Sequence, residues 1–402
     1  MITVVGAGIS GLVFADACLQ ESIPGADLEV WDSGESLIGT DAFPWGIAER
    51  AANGVFASLE FEQICTRIGV PLLQPRSSSK ARFIWRNQQL RRWPLSTWQT
   101  LSLVASLAKN AMRLKPEKFE SLKSWGDRIG GEAFIPWILE PGVQGVFASR
   151  AEDLSAQLVF QNTFGNRRSS RASRRTLAPA QGMGEFILAL RSSLEDRGVV
   201  FHSKRLNQIE LQDMKHPVVL ALAPFEAVTL LDNSDPRQSI LRSHERVGLG
   251  TATLCLSEDS KIPRGFGALF PAAEWPGGPL GVLFNSDIFD KRVADPSNRS
   301  ETWIYPLRGS SAPTIEQVLQ DRRKLFTSTP SQNKVVGFMS YAWPTALPSY
   351  SVNWERALDQ LRGLPHNNRF LLGPSYGRIG LASVLRDSVD LARQLVNEKE
   401  SR

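Results

Sequence analysis

Residues 3–15 read Thr-Val-Val-Gly-Ala-Gly-Ile-Ser-Gly-Leu-Val-Phe-Ala, a β-branched run that breaks into Gly6-x-Gly8-x-x-Gly11 and continues in helix-forming residues. Gly6 suits a tight turn out of a strand, Gly8 lets a backbone approach a pyrophosphate with no Cβ in the way, and Gly11 lets the helix lie close on its sheet. Ala7, Ile9 and Ser10 complete the turn, whose helix would point its positive end at phosphate groups. Leu28-Glu29-Val30-Trp31 reads as the next strand, and Asp32 at its end is placed to accept from a ribose hydroxyl. The chain therefore opens as a dinucleotide-binding βαβ unit.

At 402 residues the chain exceeds one ordinary core, so two or three domains are expected. No apolar run is long enough to span a bilayer, and the glycine motif starts at Ile2-Thr3 with no room for a signal peptide, so a cytoplasmic protein is expected. Cys18, Cys65 and Cys255 form no CxxC, and His202, His216, His244 and His366 have no ligand-like spacing, which argues against metal and disulfide chemistry. Redox chemistry, if the protein performs it, has to come from a bound organic cofactor.

The net charge of +5 is unevenly spread, since Asn166 to Thr176 holds five arginines and no acid. Without interleaved aromatics or a recognised module this run does not read as a nucleic-acid site. A solvated loop, or contact with anionic lipid or an acidic substrate, suits its Ser/Arg composition.

Periodicity and breakers predict a helix over Leu59–Ile68, a hairpin over 81–90 and a mostly helical stretch from Ser96 to about Arg150. A helix from Met183 to about Arg197, strands at 199–202 and 217–222, a sheet-forming segment over 247–305, a strand at 369–373 and a helix over 381–397 follow. This order is α/β, with a nucleotide domain interrupted by insertions.

The chain resembles the flavin-dependent protoporphyrinogen and coproporphyrinogen oxidases of the flavin amine oxidase superfamily over nearly its whole length. Six blocks carry the resemblance: Asn53-Gly54-Val55-Phe56 with Ile68-Gly69-Val70; Phe83 to Asn87 with Leu90; Leu139 to Ser149 with Asp153-Leu154-Ser155; Gly265 to Pro271 with Leu280 to Ser286 and Ile288-Phe289; Trp343 to Val352; and Leu371 to Leu381. It implies a discontinuous Rossmann-like FAD-binding domain (1–75, 177–225 and 355–402), a mixed-sheet substrate domain (76–90 and 226–354) and a helical insert (91–176). FAD is long and must be held at both ends. Gly6 to Gly11, Asp32 and Gly39 would serve one end, Leu206 the adenine, and Trp343, Gly373, Ile379, Gly380 and Leu381 the flavin end, where the helix from Leu381 would favour an anionic reduced ring. With no cysteine or histidine at Ala148-Ser149 or Tyr376, the flavin would be bound non-covalently.

The implied reaction is oxidation of protoporphyrinogen IX or coproporphyrinogen III to the porphyrin in haem biosynthesis. A hydride leaves a bridge carbon for the flavin, a pyrrole proton is lost, and oxygen reoxidises the cofactor. No catalytic acid or base is required. Ser149, Leu269 and Phe289 fall where the family contacts the macrocycle, although alternating apolar residues equally suit plain sheet core. Two other readings stay open: an amine oxidase or carotenoid-type desaturase, and a flavin- or tetrapyrrole-binding protein without turnover.

The departures are local. Leu37-Ile38-Gly39-Thr40 lacks one glycine and the basic residue of the family's Leu-Gly-Gly-Arg/Lys, Asp32 stands for a glutamate, and no arginine lies near Asn53 to Ala57. The insert places Trp93, Trp98, Leu101, Leu103, Val104, Leu107 and Leu114 beside Lys109, Arg113, Lys115 and Lys118. That composition suits either an interfacial helix contacting a membrane or a face packed on the substrate domain.

Overall fold

The computed structural model describes the chain except residues 35–37, 94–102, 107–108, 111–112, 131–133, 165–174, 258–261, 308, 327–333, 379 and 401–402. Ile379, Leu37, Trp98, Leu101, Leu107 and most of the arginine run therefore lie outside the described residues.

Five parallel strands form the first sheet, in the order Val200–His202, Leu28–Trp31, Ile2–Val5, Val218–Leu220 and Arg369–Leu371. Its strands come from distant parts of the chain, as the interrupted βαβ pattern predicts. Alternation decides the two faces. Ile2 and Val4 join the core cluster containing Leu12, Phe14 and Leu28, whereas Val5 joins one with Val218, Leu220 and Trp354 on the other side.

The first helix, Ile9–Gln20, is buried from Ile9 through Cys18, sandwiched by the sheet, the helix Met183–Asp196 and the C-terminal helix Leu381–Glu400. Burial on every side is why its sequence shows no amphipathic stripe. Its one buried charge, Asp16, is paired with Arg67 and with Arg197.

The second sheet has seven strands, in the order Val335–Pro348, Arg246–Ser257, Asn298–Pro306, Gly281–Leu283, Gly267–Leu269, Arg82–Arg86 and Gln89–Arg92. All its pairs are antiparallel except Gly267–Leu269 with Arg82–Arg86. The edge hairpin turns at Asn87 and Gln88, both at positive φ (52° and 57°), the conformation that matches strand twist in a two-residue turn. Ala252, Leu254, Leu256, Val282 and Trp303 face one core. Thr251, Tyr341 and Trp343 share the opposite face by register, and Thr251 and Trp343 donate to the Arg50 carbonyl at 3.5 and 3.0 Å. This face therefore meets the hairpin Thr40–Phe43/Gly46–Glu49, which follows the second strand of the parallel sheet.

Within the insert a five-residue π-helical run at Ile135–Leu139 lies between the helices Leu122–Gly130 and Glu140–Phe147. Trp93 donates its indole N–H to the Trp137 carbonyl, Leu103 and Leu114 pack on the second core cluster, and Lys118 pairs with Asp359. Val104 is exposed. Among the described residues no helix is long and apolar enough to cross a membrane.

Candidate functional site

The glycine turn lies at the C-terminal end of the first strand, where open parallel sheets place their ligands. Gly6 has φ +103° and donates its N–H to the Trp31 carbonyl at 2.8 Å, and a Cβ on it would come within 2.6 Å of the Ala221 carbonyl oxygen. A Cβ on Gly11 would lie 2.0 Å from the Gly6 oxygen. These two glycines are demanded by the fold itself. Gly8 differs: it caps the helix in an extended conformation, and nothing lies within 4 Å of where its Cβ would stand. Ile9 and Ser10 open the helix, with their side chains buried.

Asp32 ends the second strand and accepts the Ala7 N–H at 3.3 Å, so the acid fastens the turn that it was expected to serve. A shallow cleft opens there, lined by Gly6, Trp31, Asp32, Lys204, Leu206 and Glu226. Leu206 thus lines the same cleft as Gly6 and Asp32. Trp31 stacks on His202, ring centroids 4.3 Å apart, and Lys204 lies over the same indole. This aromatic and basic rim escaped the sequence reading, although Lys204-Arg205 directly precede Leu206.

Gly373 is at φ +135° on the end of the last parallel strand, its Cβ position 3.9 Å from Ser10 Oγ, so the second glycine junction touches the first. Gly380, at φ +88°, precedes Leu381, the first residue of the C-terminal helix. Between them Tyr376 holds a buried hydroxyl with no hydrogen-bond partner among the described residues. Burial, with Glu226 adding to it, pushes that phenol well above its ordinary range, so it is a neutral donor. An uncommitted buried donor, a glycine with open space before it and a cleft ending in a carboxylate fit an extended dinucleotide laid across the strand ends.

Gly39 pairs with Arg50, whose N–H donates to its carbonyl at 2.9 Å, and the Arg50 side chain crosses it so closely that a Cβ would stand 3.1 Å from Cδ. Asp41 takes Arg50 in a two-pronged ion pair and also accepts from the Tyr341 hydroxyl. The Arg50 hydrogen bond is the main influence holding the Asp41 carboxyl below its usual range, while burial and Asp41 raise Tyr341. Trp343 stacks beside Tyr341 at 5.8 Å. None of this hairpin's polar network was legible in the sequence.

Thr40, standing where the resembled family has a cation, donates to Glu49 at 2.6 Å and accepts the Gly184 N–H at 2.8 Å. Glu49 also accepts the Met183 N–H at 3.0 Å, so the pair caps a helix whose own N-cap, Gly182, has no side chain. Burial pushes the Glu49 carboxyl above its usual range.

The three expected substrate contacts come from elements other than the glycine turns. Leu269, half-buried on the second sheet, sits against Gly145 of the helix Glu140–Phe147, where a Cβ would approach its Cδ2 to 2.6 Å. Phe289 is buried with Ala178 and Ile288 and lies beside Gly54. Ser149 follows the left-handed Ala148 that ends the same helix, and its hydroxyl donates to the Phe147 carbonyl at 3.1 Å.

The loop after Gly373 is also held from behind. Trp354 donates to the Ser375 carbonyl at 2.7 Å, and His244 packs edge-on against Trp354 at 4.2 Å with neither ring nitrogen partnered among the described residues. Burial, reinforced by Arg246, lowers the His244 pKa from 6.5 to about 4. The unfolded chain thus binds the extra proton first, so this contribution to stability is intact above pH 6.5 and is lost as pH falls toward 4. Denaturant melts should show His244→Phe removing about 2 kcal/mol of the stability lost between roughly pH 7 and roughly pH 5. An unchanged acid slope would contradict the lowered pKa.

No protein-family model and no curated protein matches this sequence. Solved structures do. The chain is similar to a putative protoporphyrinogen oxidase from Exiguobacterium sp. 255-15, with TM-score 0.75 and 15% identity over 99% of this chain and 98% of that one. It is similar to a reduced UDP-galactopyranose mutase, with TM-score 0.74 and 12% identity over 98% and 93% of the two chains. A double mutant of putrescine oxidase redesigned in its cofactor binding gives TM-score 0.74 and 12% identity, covering 98% of each chain. The protein therefore has the mixed α/β fold of these proteins over essentially its whole length.

Proposed function

We propose that the protein is an FAD-dependent oxidoreductase whose substrate is a porphyrinogen. One observation carries the cofactor part: Gly6, Asp32, Leu206 and Gly373 come together at the C-terminal ends of parallel strands, with open space before Gly8. On this reading the turn from Gly6 to Gly11 binds the pyrophosphate, Asp32 the ribose and Leu206 the adenine end. Gly39, Trp343 and the segment through Gly373, Gly380 and Leu381 hold the remainder. When bound, FAD supplies acceptance of a hydride and reoxidation by oxygen. The chain's own residues bind, orient and keep water out.

For the substrate, support comes from the six sequence blocks and the likeness to the Exiguobacterium protein. Tyr341 and Trp343 project from one face of one strand, two residues apart, with rings 5.8 Å apart at 23°. Amine oxidation is the second reading, favoured by the putrescine oxidase likeness.

The test is direct. Protein reconstituted with FAD should turn protoporphyrinogen IX or coproporphyrinogen III into fluorescent porphyrin under air, with hydrogen peroxide formed. Flavin that is loaded and reduced by a diamine or a cyclic monoamine, but by neither porphyrinogen, would replace this reading with the second. Loaded flavin that none of them reduces would leave a binding protein.

A further inference from the structure

The segment from Gly373 to Arg378 is irregular, yet its backbone is tied from four directions. Tyr350 donates to the Pro374 carbonyl and Trp354 to the Ser375 carbonyl, each at 2.7 Å, and Gln161 donates to the Gly377 carbonyl at 3.0 Å. The fourth tie is Asp387, on the C-terminal helix that the segment leads into. Asp387 Oδ2 accepts the Arg378 N–H at 2.9 Å, and Oδ1 accepts Arg378 Nε at 2.7 Å and also Nη2. Arg378 reaches Asp390 as well, at 3.3 Å. The approach is possible only at glycine, since a Cβ on Gly377 would stand 2.3 Å from Asp387 Oδ2. A carboxylate that takes one backbone amide and two guanidinium donors is a strong, directional clamp. Within the segment it clamps, the buried Tyr376 hydroxyl is left without a partner among the described residues.

We propose that Asp387 is a positioning residue that holds the Gly373–Arg378 segment in its ligand-holding form. This rests on the FAD reading and assigns the flavin end of the cofactor to the clamped segment. Asp387 touches no ligand itself. It acts through Arg378 and Gly377, aligning the start of the C-terminal helix and the Tyr376 donor with it.

Two variants reach the clamp from opposite sides: Asp387→Ala removes the carboxylate, and Gly377→Ala inserts the Cβ that pushes it away. FAD affinity is read by quenching of flavin fluorescence, flavin environment by visible circular dichroism, and ADP serves as a probe of the adenine and pyrophosphate end. Each variant should weaken FAD by at least about tenfold, as expected for losing charged hydrogen bonds, and change the visible dichroism while ADP binds as in the parent. Asp387→Asn, keeping one acceptor, should fall between. Equal losses of FAD and ADP would overturn the proposal in favour of a general structural role. Variants that bind FAD as the parent does would overturn it outright, with the cofactor reading intact. A parent that binds ADP but no FAD would overturn the cofactor reading and this inference together.

Discussion

Gly8→Val is expected to yield a folded protein that no longer retains FAD. The backbone at Gly8 is extended, at φ −71° and ψ 175°, which valine adopts freely, and no atom lies within 4 Å of the new Cβ. The cost to stability should stay within about 1 kcal/mol, the range of a changed helix cap. A branched side chain in front of the helix N-terminus nevertheless occupies the space a pyrophosphate needs. FAD binding should weaken by a hundredfold or more, roughly 3 kcal/mol. Gly11→Val supplies the contrast. Its Cβ would stand 2.0 Å from a main-chain oxygen that cannot move aside, so this variant should fail to fold stably. The pair separates a glycine kept for a ligand from a glycine kept for packing. Stoichiometric FAD in purified Gly8→Val would remove the pyrophosphate assignment.

Glu301→Ala should produce a large loss of stability. Glu301 is fully buried on a central strand of the second sheet, where it accepts from Arg322 at 3.0 Å and from the Trp303 indole at 3.3 Å, and pairs with Arg299 at 3.4 Å. Arg299 is itself 1% exposed and shares Asp287, also fully buried, at 3.2 Å. Removing Glu301 breaks the buried pair with Arg322 and leaves Arg299 with Asp287 as its remaining carboxylate, and breaking a buried pair costs about 3–5 kcal/mol. Urea melts followed by tryptophan fluorescence should report it, because Trp303 sits in the same cluster. Glu301→Gln keeps the shape and loses the charge, and should fall between. A loss of less than about 1 kcal/mol in the alanine variant would mean that the arginines are satisfied without it.

What could be read from the chain alone was whatever depends on neighbours in sequence. The opening turn is such a case, because a positive φ at Gly6 and a close helix at Gly11 are met by glycine alone, and both residues lie within one short strand-to-helix junction. The Asn87-Gln88 hairpin, the helices near Leu59 and Met183, and the buried strand before Gly373 are legible for the same reason. Tertiary structure alone decided the rest. Of the long strand Val335–Pro348 only the end from Trp343 was visible, as part of a family-like segment, since its side chains are half-buried along most of its length and show no clean alternation. It becomes a strand by pairing with Arg246–Ser257, some ninety residues earlier. Arg299, Glu301, Arg322 and Asp287 look like surface residues in a sequence, because charge avoids the interior unless partners from other segments meet it there. The hold of Asp387 on Arg378 and the Arg50–Asp41–Tyr341 network also join groups that only folding brings within hydrogen-bond reach. Local backbone demands are written into residue type, whereas the pairing of polar groups across the fold depends on distances that exist only once the chain has closed on itself.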